Sequence, residues 1–224
     1  MTSTATIFDF NGVLVDDEAV HLAAFVAVVA PLGIALDQAI YDERYLGFDD
    51  RGAFAAILRD AGRSATEADV APLVAAKIPE YMRRAETGLR IFPGAAELVA
   101  RRADRGIVAI VSGALRHEIE FALARMGVRD RIAFIVAAED TKACKPDPEG
   151  YRAARARLPS NARVVVVEDS IAGTQAARAA GLRCVAVTHS YPARALLDAG
   201  ASSALGDLSA LTDDALDAPS ALDV

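Results

Sequence analysis

The sequence predicts a doubly wound α/β fold: a parallel sheet covered by helices on both faces, with an all-helical insertion after the first strand. Three observations carry this expectation. Short runs such as Ile107-Val108-Ala109-Ile110-Val111 and Val164-Val165-Val166-Val167 are almost continuously apolar and β-branched, as strands buried on both faces of a parallel sheet are. Helical patterns alternate with these runs over most of the chain, which is the rhythm of βαβ units. Between Asp17 and Gly88 the rhythm stops, and apolar residues recur only at helical spacing.

The first strand is expected at Ala5-Thr6-Ile7-Phe8, directly before Asp9-Phe10-Asn11-Gly12. A carboxylate there stands at the carboxyl end of a buried strand, on a glycine turn, where open α/β sheets bind ligands. In the next segment Val20, Ala23, Ala24, Ala27 and Val28 share one helical face, as do Phe54, Ile57, Leu58 and Ala61, while Pro31, Gly33, Gly47, Gly62 and Pro79 punctuate the helices. This reads as a small helical domain joined to the core near Val15–Asp17 and Thr87–Ile91. Residues 1–16 and 89–224 are thereby assigned to the α/β core and 17–88 to the insertion. Beyond it, strands are expected at Ile107–Val111, Ile132–Val136, Val164–Val167 and Cys184–Val187. Helices are expected around Ala95–Asp104, Leu115–Met126, Pro148–Ala156 and Ala172–Ala180. Gly106, Gly127 and Gly181 follow three of these, at the position where a left-handed helix end favours glycine. The tail after Leu205 is acidic and apolar by turns and is expected to end in a short helix and a frayed terminus.

A hydrophobic content of 53% over 224 residues is ample for a packed core. The net charge of −7 argues against a nucleic-acid partner. No apolar run reaches the length of a membrane span, and no basic segment followed by an apolar stretch marks a signal peptide. Cys144 and Cys184, the only cysteines, make neither a disulfide framework nor a zinc-ligand spacing. The expectation is a cytoplasmic monomer with no nucleic-acid and no membrane partner.

Polar residues recur where strands end. Besides Asp9 there is Ser112 after Ile107–Val111, Lys145 in Cys144-Lys145-Pro146-Asp147-Pro148, and Glu168-Asp169 after Val164–Val167. Together they supply a nucleophilic carboxylate, a hydroxyl, a cation and an acidic pair. That set suits phosphoryl transfer with a divalent metal. Each member also has a plainer reading. Glu168-Asp169-Ser170 suits a helix N-cap, Lys145 a solvated cation in a Pro-bracketed turn, and Ser112 a cap for the helix beginning near Leu115. The last is compatible with phosphate binding at a helix N-terminus.

Four segments occur in order: Phe8-Asp9-Phe10-Asn11-Gly12-Val13-Leu14-Val15-Asp16, Val111-Ser112-Gly113, Lys145-Pro146-Asp147-Pro148 and Val167-Glu168-Asp169-Ser170-Ile171-Ala172-Gly173. On these motifs, over nearly its whole length, the chain resembles the haloacid dehalogenase superfamily of phosphotransferases. It is most similar to the branch of beta-phosphoglucomutase and related sugar-phosphate phosphatases. The resemblance implies a Rossmann-like core, a helical cap over residues 17–88, Mg²⁺ as cofactor and a small phosphorylated metabolite as substrate. It implies that Asp9 is the nucleophile and that Asp9, Asp169 and the backbone carbonyl of Asn11 bind the metal, with Glu168 binding directly or through water. Lys145 would clamp the phosphate, and the Ser112 hydroxyl and Gly113 amide would meet its oxygens. Arg116 either reaches that phosphate or is a surface residue, and His117 is expected to be solvated. His21 matches a cap histidine of the mutase-like branch. Arg51 and Lys77 resemble cations that grip the distal end of a substrate, although Arg51 is offset by one residue.

One departure bears on mechanism. The family usually has Asp where this chain has Asn11. General acid–base help is worth roughly 10²–10⁴-fold, and an amide carries no proton near neutral pH. Three readings stay open: a Mg²⁺-dependent phosphatase or phosphotransferase working through an aspartyl-phosphate, a beta-phosphoglucomutase-like isomerase, and a phosphate-binding or regulatory protein with weakened turnover. Asn11 counts most against the isomerase, which needs repeated transfer to sugar hydroxyls.

Overall fold

A computed structural model describes residues 3–219. The chain opens with β1 (Thr4–Phe8) and β2 (Val15–Asp16), runs through helices α1 (Glu18–Val29), α2 (Gln38–Arg44), α3 (Asp50–Asp60) and α4 (Glu67–Gly88), and returns through β3 (Arg90–Ile91). Helices and strands then alternate: α5 (Ala95–Arg105), β4 (Ile107–Val111), α6 (Arg116–Met126), β5 (Phe134–Val136), α7 (Glu149–Ala156), β6 (Arg163–Glu168), α8 (Ile171–Ala179), β7 (Arg183–Val187), α9 (Ala193–Ala199), β8 (Ser203–Leu205) and α10 (Asp213–Asp217). The residues divide into a unit at Asp17–Arg90 and a unit made of the rest.

In the larger unit six strands form one parallel sheet in the order β5-β4-β1-β6-β7-β8, while β2 and β3 pair separately. Strand β1 lies between β4 and β6, so the order of strands reverses at its flank. This is the switch point at which open α/β sheets bind ligands. Phe8 stands opposite Ile110 on one side and Val167 on the other. Asp9 is therefore level with the ends of both neighbouring strands. Its N–H donates to the Val167 carbonyl at 2.9 Å, and the N–H of Ser112 to that of Val136 at 3.0 Å. Alternation along the strands places Ala5, Ile7, Ala109, Val111, Val164 and Val166 on one face, where they pack with Tyr151, Ala154, Ala176 and Ala177. This is the doubly wound α/β core that the sequence predicts.

The smaller unit is all helical. Its core gathers Phe25, Tyr41, Phe54, Ile57, Leu58, Val70 and Val74. Gly33, Gly47 and Gly62 adopt positive φ between helices, but Pro79 does not punctuate: α4 runs through both Pro72 and Pro79. An interior proline costs a helix about 3 kcal/mol or more. Here Val70, Val74, Tyr81 and Ala85 bury one face of α4, and packing outweighs local propensity.

Three further differences concern the larger unit. The strand expected over Ile132–Val136 begins only at Phe134, because Arg129–Arg131 form a 3₁₀ turn capped by Ile132. Ile132 is buried, so its apolar character reports packing and not pairing. The α9–β8 unit carries no strand signal in the sequence: β8 is three half-buried residues at the sheet edge, Ser-Ala-Leu, with no β-branched member. Helix α10 is the expected short helix, and the expected frayed terminus lies outside the described residues.

Candidate active site

Asp9, Glu168 and Asp169 meet at the carboxyl ends of β1 and β6, all buried, with one carboxylate oxygen from each within 4.8 Å of the others. The Lys145 ammonium lies among them, donating at 2.6 Å to Asp9 Oδ1 and at 2.6 Å to Glu168 Oε1. Glu168 is saturated with donors. Its Oε1 also accepts from Tyr151 Oη at 2.7 Å, and its Oε2 from the N–H of Asp169 and the N–H and hydroxyl of Ser170. Ser170 in turn caps α8, accepting from Gly173 N at 3.0 Å. The N-cap reading of this segment is realised by Ser170, while Glu168 and Asp169 turn into the acidic cluster.

Glycine is required where these groups crowd together. Gly12 has φ +76°, and a Cβ there would overlap the Asp169 carboxylate. A Cβ at Gly173 would overlap that of Glu168.

One cation is shared by three acids, and their titration reflects it. Burial, then the charge of Glu168, pushes the Asp9 carboxyl up to about 7, against the opposing effect of Lys145. Asp169 is driven well above the usual carboxylate range by burial and by the charges of Glu168 and Asp9. Burial also opposes charge on Glu168, but Lys145 and the hydrogen bonds from Lys145, Tyr151 and Ser170 hold it below its ordinary value. The Lys145 ammonium is disfavoured by burial and more than compensated by Asp9 and Glu168, so it stays protonated. A buried acidic excess built of hard oxygens fits a small divalent cation such as Mg²⁺. Asp9 and Asp169, whose oxygens are the less committed, would be the side chains that hold it.

Ser112 sits beside this cluster. Its hydroxyl donates to Asn11 Oδ1 at 3.2 Å and accepts from Ala114 N at 3.0 Å, so it both contacts the first motif and caps the following turn. Gly113 is exposed at the next position. Arg116 is not brought to the carboxylates. Its guanidinium pairs with Asp140 and its N–H donates to Glu139 at 3.1 Å, which gives it the surface role. His117 is half-buried instead of solvated, with Nε2 shielded and unpartnered among the described residues.

His21, Arg51 and Lys77 belong to the helical unit. Lys77, one of the two cations expected to grip a substrate's distal end, is fully buried. Its ammonium donates to His21 Nδ1 at 2.8 Å and to Asp50 at 2.5 Å and lies 4.7 Å from the Phe25 ring centroid. His21 Nε2 lies 3.2 Å from Asp17, which accepts from Tyr81 Oη at 2.6 Å. Because an ammonium can only donate, the neutral His21 ring carries its proton on Nε2. Arg51 is exposed and pairs with Glu67.

Three residues of the larger unit escaped the sequence reading: Tyr151, which holds Glu168, and His189 and Ser190. His189 Nδ1 is 2.7 Å from the Gly12 carbonyl oxygen, and Ser190 donates to Asp169. The last two directly follow Val187, Thr188 apart, so the rule that found Ser112 and Glu168 would have found them too: look for polar residues just past a buried strand.

Carboxylates crowded at a switch-point strand end around one half-buried lysine define a doubly wound α/β hydrolase built to handle an anionic group. The chain belongs to the haloacid dehalogenase-like hydrolases, whose family model matches residues 4–181. It is 30% identical over 198 residues to validoxylamine A 7'-phosphate phosphatase of Streptomyces hygroscopicus subsp. limoneus, covering 86% of this chain and 89% of that one. CbbY from Rhodobacter sphaeroides, solved in complex with phosphate, superimposes with a TM-score of 0.81 at 28% identity, over 96% of this chain and 99% of that one. Beta-phosphoglucomutase from Clostridium difficile shares the fold, with a TM-score of 0.81 at 21% identity over 96% of each chain.

Proposed function

We propose that the protein is a Mg²⁺-dependent phosphatase for a small phosphorylated metabolite, of the sugar-phosphate class, working through an aspartyl-phosphate on Asp9. The observation that carries this is the Asp9–Lys145–Glu168–Asp169 cluster at the switch point. Asp9 is the nucleophile because its carboxylate lies at the strand end beside the ammonium, and attack on phosphorus divides one displacement into two. Lys145 lies 2.6 Å from Asp9 and offsets the repulsion between nucleophile and phosphoryl oxygens, the electrostatic contribution on which such reactions depend. Glu168 and Tyr151 fix the ammonium in place. When bound, Mg²⁺ would supply the remaining positive charge between Asp9, Asp169 and the phosphate. Relatives named as phosphatases support the reaction class.

A second reading, a phosphate-binding protein with weak turnover, is favoured by Asn11. Its Oδ1 accepts from Ser112, and its amide has no proton to give a leaving alkoxide. The test is a release assay over sugar phosphates, nucleotides and acyl phosphates, with Mg²⁺ and with EDTA. Mg²⁺-dependent release from any monoester supports the phosphatase. Saturable phosphate binding without release from any substrate favours the second reading.

A further inference from the structure

The loop after β7 reaches the acidic cluster from a side that none of the four motifs marks. The Gly12 carbonyl can only accept, so the 2.7 Å contact with His189 Nδ1 is a donated N–H. The imidazole also stacks on Phe92, with centroids 4.0 Å apart and planes inclined by 18°. An edge and a face of the ring are thus both held. The next residue, Ser190, donates its hydroxyl to Asp169 Oδ2, the oxygen that a Cβ at Gly12 would strike first. Two consecutive side chains therefore grip the two arms of the cluster: the turn carrying Asp9 and Asn11, and the acid at the end of β6.

We propose that His189 and Ser190 are positioning residues that hold Gly12 and Asp169 in register for a divalent cation. The proposal rests on the Mg²⁺ reading of the cluster given above. Gly12 has no side chain with which to anchor its turn. Its peptide groups are fixed instead by its N–H to the Val15 carbonyl at 2.8 Å and by its carbonyl to His189. Asp169 stands among like charges and, without a donor on Oδ2, is free to turn away from Asp9. Groups that orient metal-binding carboxylates from behind are worth about 10–100-fold in metal affinity or activity.

The experiment is calorimetric titration of the intact protein with Mg²⁺ alone, in the absence of substrate, for wild type and four variants. Ser190→Ala removes one donor. His189→Phe removes the other and keeps an aromatic ring against Phe92. Ser190→Thr and His189→Asn keep a donor at each position. Ser190→Ala and His189→Phe are each expected to weaken Mg²⁺ binding by about 10–100-fold, with melting in EDTA close to wild type and recovery of most of the affinity in Ser190→Thr and His189→Asn. Affinities within about twofold of wild type for Ser190→Ala and His189→Phe, or no recovery in the donor-keeping pair, overturn the proposal. Should His189→Phe fail to fold, Ser190→Ala, at an exposed position, decides alone. A wild type that binds no Mg²⁺ overturns both this proposal and the metal reading. A wild type that binds Mg²⁺ and releases phosphate from nothing removes the phosphatase reading, while the affinity differences still judge the brace.

Discussion

Ser112 donates to Asn11 across 3.2 Å; under the proposed phosphatase reading, an amide at this position would leave the leaving group without a proton donor. An acyl phosphate departs without a proton; a sugar alkoxide does not. Asn11→Asp is therefore expected to accelerate hydrolysis of a sugar phosphate by roughly 10²–10⁴-fold and that of acetyl phosphate far less. Parallel kcat measurements on the two substrates check this, with mass spectrometry confirming that Asn11, which precedes Gly12, has not deamidated. Equal acceleration of both would remove the proton-transfer account. Asp9 bears on stability. Its carboxyl is pushed up to about 7 by burial and Glu168. Between its unfolded value near 4 and about 7 the folded metal-free chain therefore holds a proton that the unfolded chain releases. The contribution of Asp9 to stability thus falls as pH rises through that window. Melting in EDTA should drop from pH 5 to pH 7.5, Asp9→Asn should flatten the drop, and Mg²⁺ should reverse it by binding the native state.

Helix α10 is tied down by charge at the level of one element. Arg102 of α5, 2% exposed, donates to Thr6 of β1 at 2.9 Å, to Asp213 at 3.0 Å and to Asp217 at 2.7 Å. Arg105 adds a second bond to Asp217 at 2.8 Å. Removing both acids strands a buried guanidinium, a loss of about 3–5 kcal/mol. The double variant Asp213→Asn/Asp217→Asn should show it in denaturant unfolding at pH 7. Burial works against the Asp217 charge, but Arg102 and Arg105 outweigh it and hold the carboxyl below its usual range. Its stabilisation is present above the unfolded value near 4 and fades as pH falls through the folded one. The gap between wild type and variant should accordingly close below about pH 4. The turn between β1 and β2 depends on glycine in a different way. Gly12→Ala forces a left-handed conformation costing at least about 1–2 kcal/mol and drives a methyl into Asp169. Loss of Mg²⁺ binding in calorimetry is expected even where the variant folds.

The whole molecule is two separately cored units, one of residues 17–90 and one of the rest. The strands that carry the chain out and back, Val15–Asp16 and Arg90–Ile91, pair with each other, so a short linker can join Asp16 to Ile91. Such a deletion is expected to leave the parallel sheet folded by circular dichroism and to retain Mg²⁺ binding, while flattening discrimination among phosphate esters. A deletion variant that is unfolded would mean that the sheet depends on the helical unit. No described helix is long and apolar enough to cross a membrane.

Periodicity alone determined that β1, β4, β6 and β7 are buried parallel strands, because burial on both faces leaves almost no polar position in each. Strand ends pointed to the residues that the structure brings together, since Asp9, Ser112 and Glu168-Asp169 each follow an apolar run directly. Lys145 does not directly follow a strand, since β5 ends at Val136, and nothing local distinguishes a lysine aimed at a carboxylate from one in water. Tertiary structure decided the rest. It buried Lys77 against Asp50 and His21, turned Arg116 to Asp140, carried α4 through Pro72 and Pro79, and brought His189 and Ser190 to Gly12 and Asp169. Each of these depends on residues far away in the chain, and contacts of that kind are set by which helices and strands pack together, not by the residues on either side.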